Sequence, residues 1–151
     1  MDNLNAKLKT RGEQPLLIKR KILLVDDDPA DLRFYGLILE HEGYGVRSTA
    51  SFEEGARLLG QQSFDMVVVS QGSRGFEGRS VLERANQDDR RTPVVVLARN
   101  LDPRYYLEAI ELGAVDYREK TTDAPEFIWV IETHLRFVPP ELEQNGSPNP
   151  C

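Results

Sequence analysis

Two kinds of pattern alternate along the chain from residue 21 onward. Short runs that are mostly apolar or β-branched predict strands over residues 21–25, 44–49, 66–69, 93–98 and 115–118. Apolar residues spaced three and four apart predict helices over residues 29–42, 51–61, 78–86, 103–112 and 124–137. Five strands therefore alternate with five helices.

Capping residues mark where several of these helices begin or end. Ser51 and Glu54 have the spacing of a capping box, which places a helix start at Ser51. Asp102 followed by Pro103 marks another start, because an aspartate accepts from free helix N–H groups and proline fits the first helical position. Gly43 follows the first predicted helix and suits its C-terminal cap. These signals support the helices independently of the apolar spacing.

Strands that alternate with helices predict an α/β fold with a parallel sheet covered on both faces. We therefore expect a (βα)5, doubly wound, five-stranded parallel sheet in a three-layer sandwich. In such folds ligands bind outside the carboxyl ends of the strands. Asp26, Ser70, Ala98 and Lys120 stand at or just beyond predicted strand ends, so we expect them to share one edge of the sheet.

The composition favours one water-soluble domain. With 151 residues, the chain is long enough for a full hydrophobic core. No apolar run approaches the roughly 20 residues that span a bilayer, and residues 1–21 lack the apolar segment of a signal peptide, so we expect a cytoplasmic protein without membrane contact. The net charge of −6 disfavours nucleic-acid binding. The single cysteine, Cys151, provides neither an internal disulfide nor a thiolate metal cluster.

The chain divides into three parts by composition. Residues 1–19 predict a flexible leader, and basic residues concentrate there and just beyond it. Residues 20–137 contain all the predicted strands and helices. Residues 138–151 are rich in proline and predict a disordered tail.

Four segments together resemble the receiver domain of bacterial two-component response regulators, which has the CheY-like, flavodoxin-like fold. They are the acidic run at 22–29, the strand and loop at 65–78, the strand at 93–98 and the segment at 113–120. They occur in the expected order and spacing over about residues 20–137. The resemblance implies phosphorelay signal transduction, with protein partners in a signalling pathway.

Several positions match the functional residues of that family. The resemblance implies that Asp26 and Asp27 form the acidic pair that helps to bind Mg²⁺. Clustered carboxylates suit this hard cation. It also implies that Lys120 is the lysine that pairs with a phosphoryl group and that Tyr117 is the switch aromatic. We expect Tyr117 to be fixed and half-buried.

Two positions depart from the family pattern. Ser70 stands where the family has the phosphoacceptor aspartate, and a serine cannot form an acyl phosphate. Ala98 stands where the family has a threonine or serine whose hydroxyl binds the phosphoryl group. With one carboxylate ligand missing, we expect Asp26 and Asp27 to bind Mg²⁺ weakly at best and Lys120 to neutralise them, with no other cofactor.

These residues predict a stand-alone pseudo-receiver that acts as a protein-interaction module without aspartyl phosphorylation. No nucleophile–base pair is visible, so we expect no enzyme activity. One alternative is a phosphotransfer protein with a displaced acceptor at Asp27 or Asp28. Another is a small-molecule or flavin binder on a flavodoxin-like fold, although no glycine-rich phosphate loop follows the first strand.

The last helix suggests where a partner binds. Its predicted core stripe contains Phe127, Ile128, Ile131 and Leu135. Trp129 lies well away from that stripe at 100° per residue, so we expect it to be exposed, and exposed tryptophans favour interfaces. The resemblance implies a partner-binding or homodimer face on the last two helices and the fifth strand, with Tyr105 or Tyr106 as neighbours of Trp129.

The remaining polar candidates receive simpler interpretations. Arg74 and Arg99 flank the two altered positions and are expected to be solvated loop arginines. His41 and His134 fall on predicted helices and are expected to face solvent.

Overall fold

The computed structural model describes residues 19–87 and 91–135. The expected tail at 138–151, and all but the last residue of the expected leader at 1–19, lie outside the described residues. The sheet consists of β1 (Lys21–Val25), β2 (Gly45–Thr49), β3 (Met66–Ser70), β4 (Val94–Ala98) and β5 (Asp116–Glu119). Each strand lies within a residue or two of its predicted position.

All four strand pairs are parallel, and the strand order is β2-β1-β3-β4-β5. The order therefore reverses between β1 and β3. Val25 at the end of β1 is level with Val69 of β3 and with Thr49 of β2. The carboxyl ends of β1 and β3 thus form the point at which such sheets bind ligands.

Five helices join the strands, and aspartate and serine side chains cap three of their N-termini. The helices are α1 (Pro29–His41), α2 (Phe52–Leu59), α3 (Arg79–Ala85), α4 (Pro103–Glu111) and α5 (Ala124–Leu135). Asp28, Ser51 and Asp102 accept the backbone N–H groups at the starts of α1, α2 and α4, as the sequence predicts for the last two. None of the helices described in residues 19–87 and 91–135 is long and apolar enough to cross a membrane.

The core consists of two apolar clusters, one on each face of the sheet. Alternate strand residues enter opposite clusters, so that Leu23 and Val25 face α2, α3 and α4 while Ile22 and Leu24 face α1 and α5. All five residues of β3 and of β4 are buried, as expected for central strands. The predicted three-layer α/β sandwich is confirmed.

Candidate functional site

A polar cleft of about 480 Å³ opens at the carboxyl edge of the sheet. Its lining comes from four of the loops that follow the strands. The lining residues are Asp27, Asp28, Pro29, Ser70, Gln71, Gly72, Ser73, Arg99, Asn100 and Lys120. Ser70 and Lys120 therefore share one edge, as the order of strands and helices predicts.

Asp26 is a buried carboxylate at the end of β1, with 1% of its surface exposed. Its Oδ1 accepts the backbone N–H of Asp28 at 2.9 Å, and Lys120 Nζ lies 3.0 Å from its Oδ2. Burial raises the pKa of Asp26 above its ordinary value, while the Asp28 N–H and the Lys120 ammonium oppose that rise. The expected neutralising contact between Lys120 and Asp26 is present.

Lys120 also reaches a carboxylate that sequence reasoning missed. Its Nζ lies 2.8 Å from Asp31 Oδ2, in the first turn of α1. Arg99 Nη2 binds the same oxygen at 2.7 Å and binds Asp28 Oδ2 at 2.8 Å. The prediction of a solvated Arg99 was therefore wrong in part, because its exposed side chain extends across the cleft to α1. The sequence did contain a signal for Asp31, because it stands in the first helical turn after the acidic run and so lies near the same strand end.

Ser70 ends β3 and is 4% exposed. Its Oγ accepts the backbone N–H of Gly72 at 3.1 Å, which turns the hydroxyl oxygen toward its own loop. Gly72 has a φ of 115°, and a side chain there would collide with the Glu77 carboxylate. Gly78 lies so close that an added Cβ would be 2.2 Å from Ser70 O. The loop after β3 therefore packs closely against Ser70 on the side away from the cleft opening.

Tyr117 is buried at 6% exposure, more deeply than the half-burial expected of it. Its hydroxyl donates to Gln71 Oε1 and accepts the backbone N–H of Asp102 at 3.1 Å. The ring packs edge-on against Tyr106. Ala98 is also buried, at 1%, and presents only a methyl group to this region.

Comparison with known proteins identifies the family. The model of the response regulator receiver domain matches residues 22–132. The chain belongs to the response regulator receiver domain family.

Several curated relatives of this receiver domain are regulators of greater length. The uncharacterized transcriptional regulatory protein YkoG of Bacillus subtilis is 30% identical over 129 residues, which are 85% of this chain and 54% of YkoG. The transcriptional regulatory protein GlrR of Escherichia coli is 27% identical over 82% of this chain and 28% of its own. The receiver domain thus spans about half, or less, of the length of these relatives.

Solved receiver structures have the same fold. A CheY-like response regulator receiver domain protein from Methanospirillum hungatei aligns with a TM-score of 0.72 and 25% identity, covering 85% of this chain and 99% of the other. A response regulator from Chloroflexus aurantiacus aligns with a TM-score of 0.70 and 26% identity, covering 78% and 98%. The CheY-like, flavodoxin-like fold inferred from the sequence is confirmed.

The resemblance to receiver domains also implies a Mg²⁺ ion, and the oxygen atoms of this cleft do not fit one. Both oxygens of Asp26 contact Lys120, Asp27 Oδ2 accepts from Ser73 Oγ at 2.9 Å, and Ser70 supplies no carboxylate. Mg²⁺ requires a nearly octahedral set of oxygen ligands. Within residues 19–87 and 91–135, no group of three or more histidine, cysteine, aspartate or glutamate side chains is placed to hold a metal ion.

Trp129 is exposed, at 57%, as the spacing along α5 predicts. It lines an apolar groove of about 690 Å³ between α1 and α5 together with Leu37, and its ring lies beneath the Arg118 guanidinium. The rings of the expected neighbours lie elsewhere, Tyr105 against Phe76 and Tyr106 against Tyr117. The expected grouping of Trp129 with these tyrosines is therefore wrong, because Trp129 faces α1.

The two histidines differ in their surroundings. His41 is exposed at the end of α1, as expected. His134 Nε2 instead lies 2.8 Å from Asp116 Oδ2, so the prediction that it faces solvent was wrong. This contact joins α5 to the edge strand β5.

Proposed function

We propose that this receiver domain is a protein-interaction module of two-component signalling whose surface is recognised without aspartyl phosphorylation. It acts as a signalling module rather than as an enzyme. The observation that carries the proposal is Ser70, a buried serine at the carboxyl end of β3 whose hydroxyl oxygen is occupied by the Gly72 N–H. A serine ester is chemically different from the carboxylic–phosphoric mixed anhydride that an aspartate forms.

The surroundings of Ser70 support the same conclusion. Ala98 carries no hydroxyl that could move toward a phosphoryl group. Lys120 is 9% exposed and already lies between two carboxylates, those of Asp26 and Asp31. The groups that would respond to a phosphoryl group are thus absent or already engaged within the chain.

The surface around α4 is the proposed contact for a protein partner, including a second copy of the chain. Tyr106, Leu107 and Ile110 lie on α4 and are 41–58% exposed, and Val115 before β5 is 42% exposed. Such side chains form an apolar strip beside the edge strand. This strip belongs to the partner-binding face that the sequence predicts on the last two helices and the fifth strand, and it covers the portion on α4.

Phosphorylation with labelled acetyl phosphate and Mg²⁺ tests the proposal. The wild-type chain is expected to take up no hydroxylamine-sensitive phosphate. The double variant Ser70→Asp/Ala98→Thr restores the two altered side chains and is expected to gain some. Ser73→Asp is the matched control, since it adds a carboxylate to the same loop outside the acceptor position.

Hydroxylamine-sensitive phosphate on the wild-type chain would contradict the proposal. If that phosphate were lost in Asp27→Asn or Asp28→Asn, the displaced-acceptor alternative would replace it. Acid-stable phosphate at Ser70 would show that the serine itself accepts a phosphoryl group and would also overturn the proposal.

A further inference from the structure

A continuous series of ion pairs runs along the polar cleft, from Asp28 through Arg99, Asp31 and Lys120 to Asp26. Asp31 Oδ2 forms ion pairs with Lys120 Nζ at 2.8 Å and with Arg99 Nη2 at 2.7 Å. Lys120 also forms an ion pair with Asp26, and Arg99 also forms one with Asp28. Two cations therefore connect three carboxylates, two in the loop that follows β1 and one in the first turn of α1.

The two cations occupy different environments. Lys120 is 9% exposed and holds the inner end of the network, whereas the Arg99 side chain is 61% exposed and covers the outer end. Exposed ion pairs contribute little to folding stability. Arg99 therefore has a small structural role, although it places a full positive charge where a divalent cation would approach Asp28 and Asp31.

The position of Arg99 follows from the local chain. It comes directly after Ala98, the last residue of β4, which lies between the central strand β3 and the edge strand β5. From that point a long side chain can cross the cleft to the start of α1, and the planar guanidinium can bind two carboxylates at once. A lysine or a short side chain at this position would not span both partners in the same way.

We propose that Arg99 is a built-in counter-ion that takes the place of a divalent metal and makes this acidic cleft independent of Mg²⁺. Arg99 and Lys120 together supply the positive charge that the clustered carboxylates need. A metal ion entering the cleft must displace Arg99 from Asp28 and Asp31 before it can reach their oxygens. This inference is independent of the proposed function, because a cleft without Mg²⁺ and a cleft without phosphate are separate properties.

The test measures the binding of Mn²⁺ to the full chain. The electron paramagnetic resonance signal of free Mn²⁺ reports how much ion remains unbound, Mg²⁺ serves as a competitor, and no phosphodonor is added. Arg99→Gln is expected to bind Mn²⁺ about tenfold or more tightly than the wild-type chain, because a unit charge a few ångströms from the metal is removed. Arg99→Met, which keeps the length of the stem, should behave in the same way. Circular dichroism confirms that each variant is folded.

Arg104→Gln is the matched control. Arg104 also forms an exposed pair with an aspartate, Asp102 at 2.8 Å, but it does not line the cleft. Its loss should leave Mn²⁺ affinity unchanged. The affinity gained in Arg99→Gln should disappear again when Asp31→Asn is added, because Asp31 is a carboxylate that Arg99 would release to the ion.

Equal Mn²⁺ affinity in the wild-type chain and both Arg99 variants would overturn the proposal, whether that affinity is high or undetectable. A gain that survives Asp31→Asn would overturn it as well, because the ion would then lie away from the carboxylates that Arg99 binds. Phosphorylation is absent from these measurements, so failure here leaves the proposed function standing.

Discussion

The Tyr117 hydroxyl donates a hydrogen bond to the side-chain oxygen of Gln71, the residue that directly follows Ser70. The same hydroxyl accepts the Asp102 N–H, so one buried side chain of β5 is tied both to the loop after β3 and to the start of α4. Gln71 is itself held by a 2.7 Å hydrogen bond from its N–H to Leu97 O. Hydrogen bonds to Gln71 and Asp102 thus hold Tyr117 in its buried position without a phosphoryl group in the cleft.

This contact should appear as a coupling energy between Gln71 and Tyr117. Urea unfolding of Gln71→Ala, Tyr117→Phe and the double variant forms a thermodynamic cycle. We expect the coupling to be about 1 kcal/mol, because each single variant removes the same hydrogen bond. Tyr106→Phe combined with Gln71→Ala is the control and should be additive. Additivity within about 0.3 kcal/mol for the Tyr117 pair would show that the bond contributes nothing.

Ser70→Asp alone should destabilise the fold at neutral pH. The new carboxyl would be buried near Asp26 and Asp27 with no metal to balance it, so we expect a loss of about 1–3 kcal/mol in the free energy of unfolding. Burial and like charges raise the pKa of an introduced carboxyl, so its charge penalty fades as the pH falls below that pKa. Urea unfolding at pH 7 and pH 4 measures this difference. Ser80→Asp, at an exposed position of α3, should lose much less.

Tyr35 should make stability depend on alkaline pH. Its buried hydroxyl donates to Thr121 O at 2.8 Å and accepts the Thr121 N–H at 3.2 Å, and burial raises the pKa of Tyr35 to about 12. An unfolded tyrosine ionises near pH 10, so between about pH 10 and 12 the unfolded state binds fewer protons than the folded state. The free energy of unfolding should therefore fall as the pH rises through that window.

Comparison with Tyr35→Phe isolates this effect from the other tyrosines. The variant should lose about 1 kcal/mol at pH 7, because the Tyr35 hydrogen bonds disappear. Its stability should then decline less than that of the wild-type chain between about pH 10 and 12. Equal slopes in this window would mean that the Tyr35 hydroxyl ionises at its ordinary pH in the folded chain. Urea unfolding at a series of pH values provides the slopes.

Self-association should depend on Leu107 and not on Leu37. The two leucines are equally exposed, at 58% and 59%, but Leu107 lies on the apolar strip of α4 and Leu37 lies beside the α1–α5 groove. Leu107→Glu should therefore weaken dimer formation at least about tenfold, since it would place a charge in a buried apolar contact. Sedimentation equilibrium over a range of concentrations measures the dissociation constant. Leu37→Glu is the matched control and should leave the dissociation constant unchanged. A wild-type chain that is monomeric at all concentrations, or an equal loss of affinity in Leu107→Glu and Leu37→Glu, would refute a dimer through α4.

The fold was predictable because the local sequence pattern indicates each strand and helix. Apolar runs, the caps at Ser51 and Asp102, and Gly43 are all features of neighbouring residues, and the three-layer arrangement follows from their alternation. The strand ends also placed Asp26, Ser70 and Lys120 on one edge. The sequence thus predicted where these residues lie, but not which side chains they contact.

Other contacts depend on the reach and direction of side chains and could not be predicted. Arg99 meets Asp31 across 68 positions of sequence, and nothing around Arg99 distinguishes a crossing arginine from a solvated one. Helical spacing showed that Trp129 points away from the core but not that it turns toward α1, because that depends on the packing of two helices. His134 meets Asp116 for a similar reason.

Asp28 connects the start of α1 to the loop after β4. One of its oxygens accepts the N–H groups of Ala30 and Asp31, and the other binds Arg99. Release of Arg99 would free Asp28 to move, and the two amide protons at the start of α1 would then open more often to solvent. The hydrogen-exchange rates of Ala30 and Asp31 are therefore a local readout of an arginine some 70 positions further along the chain.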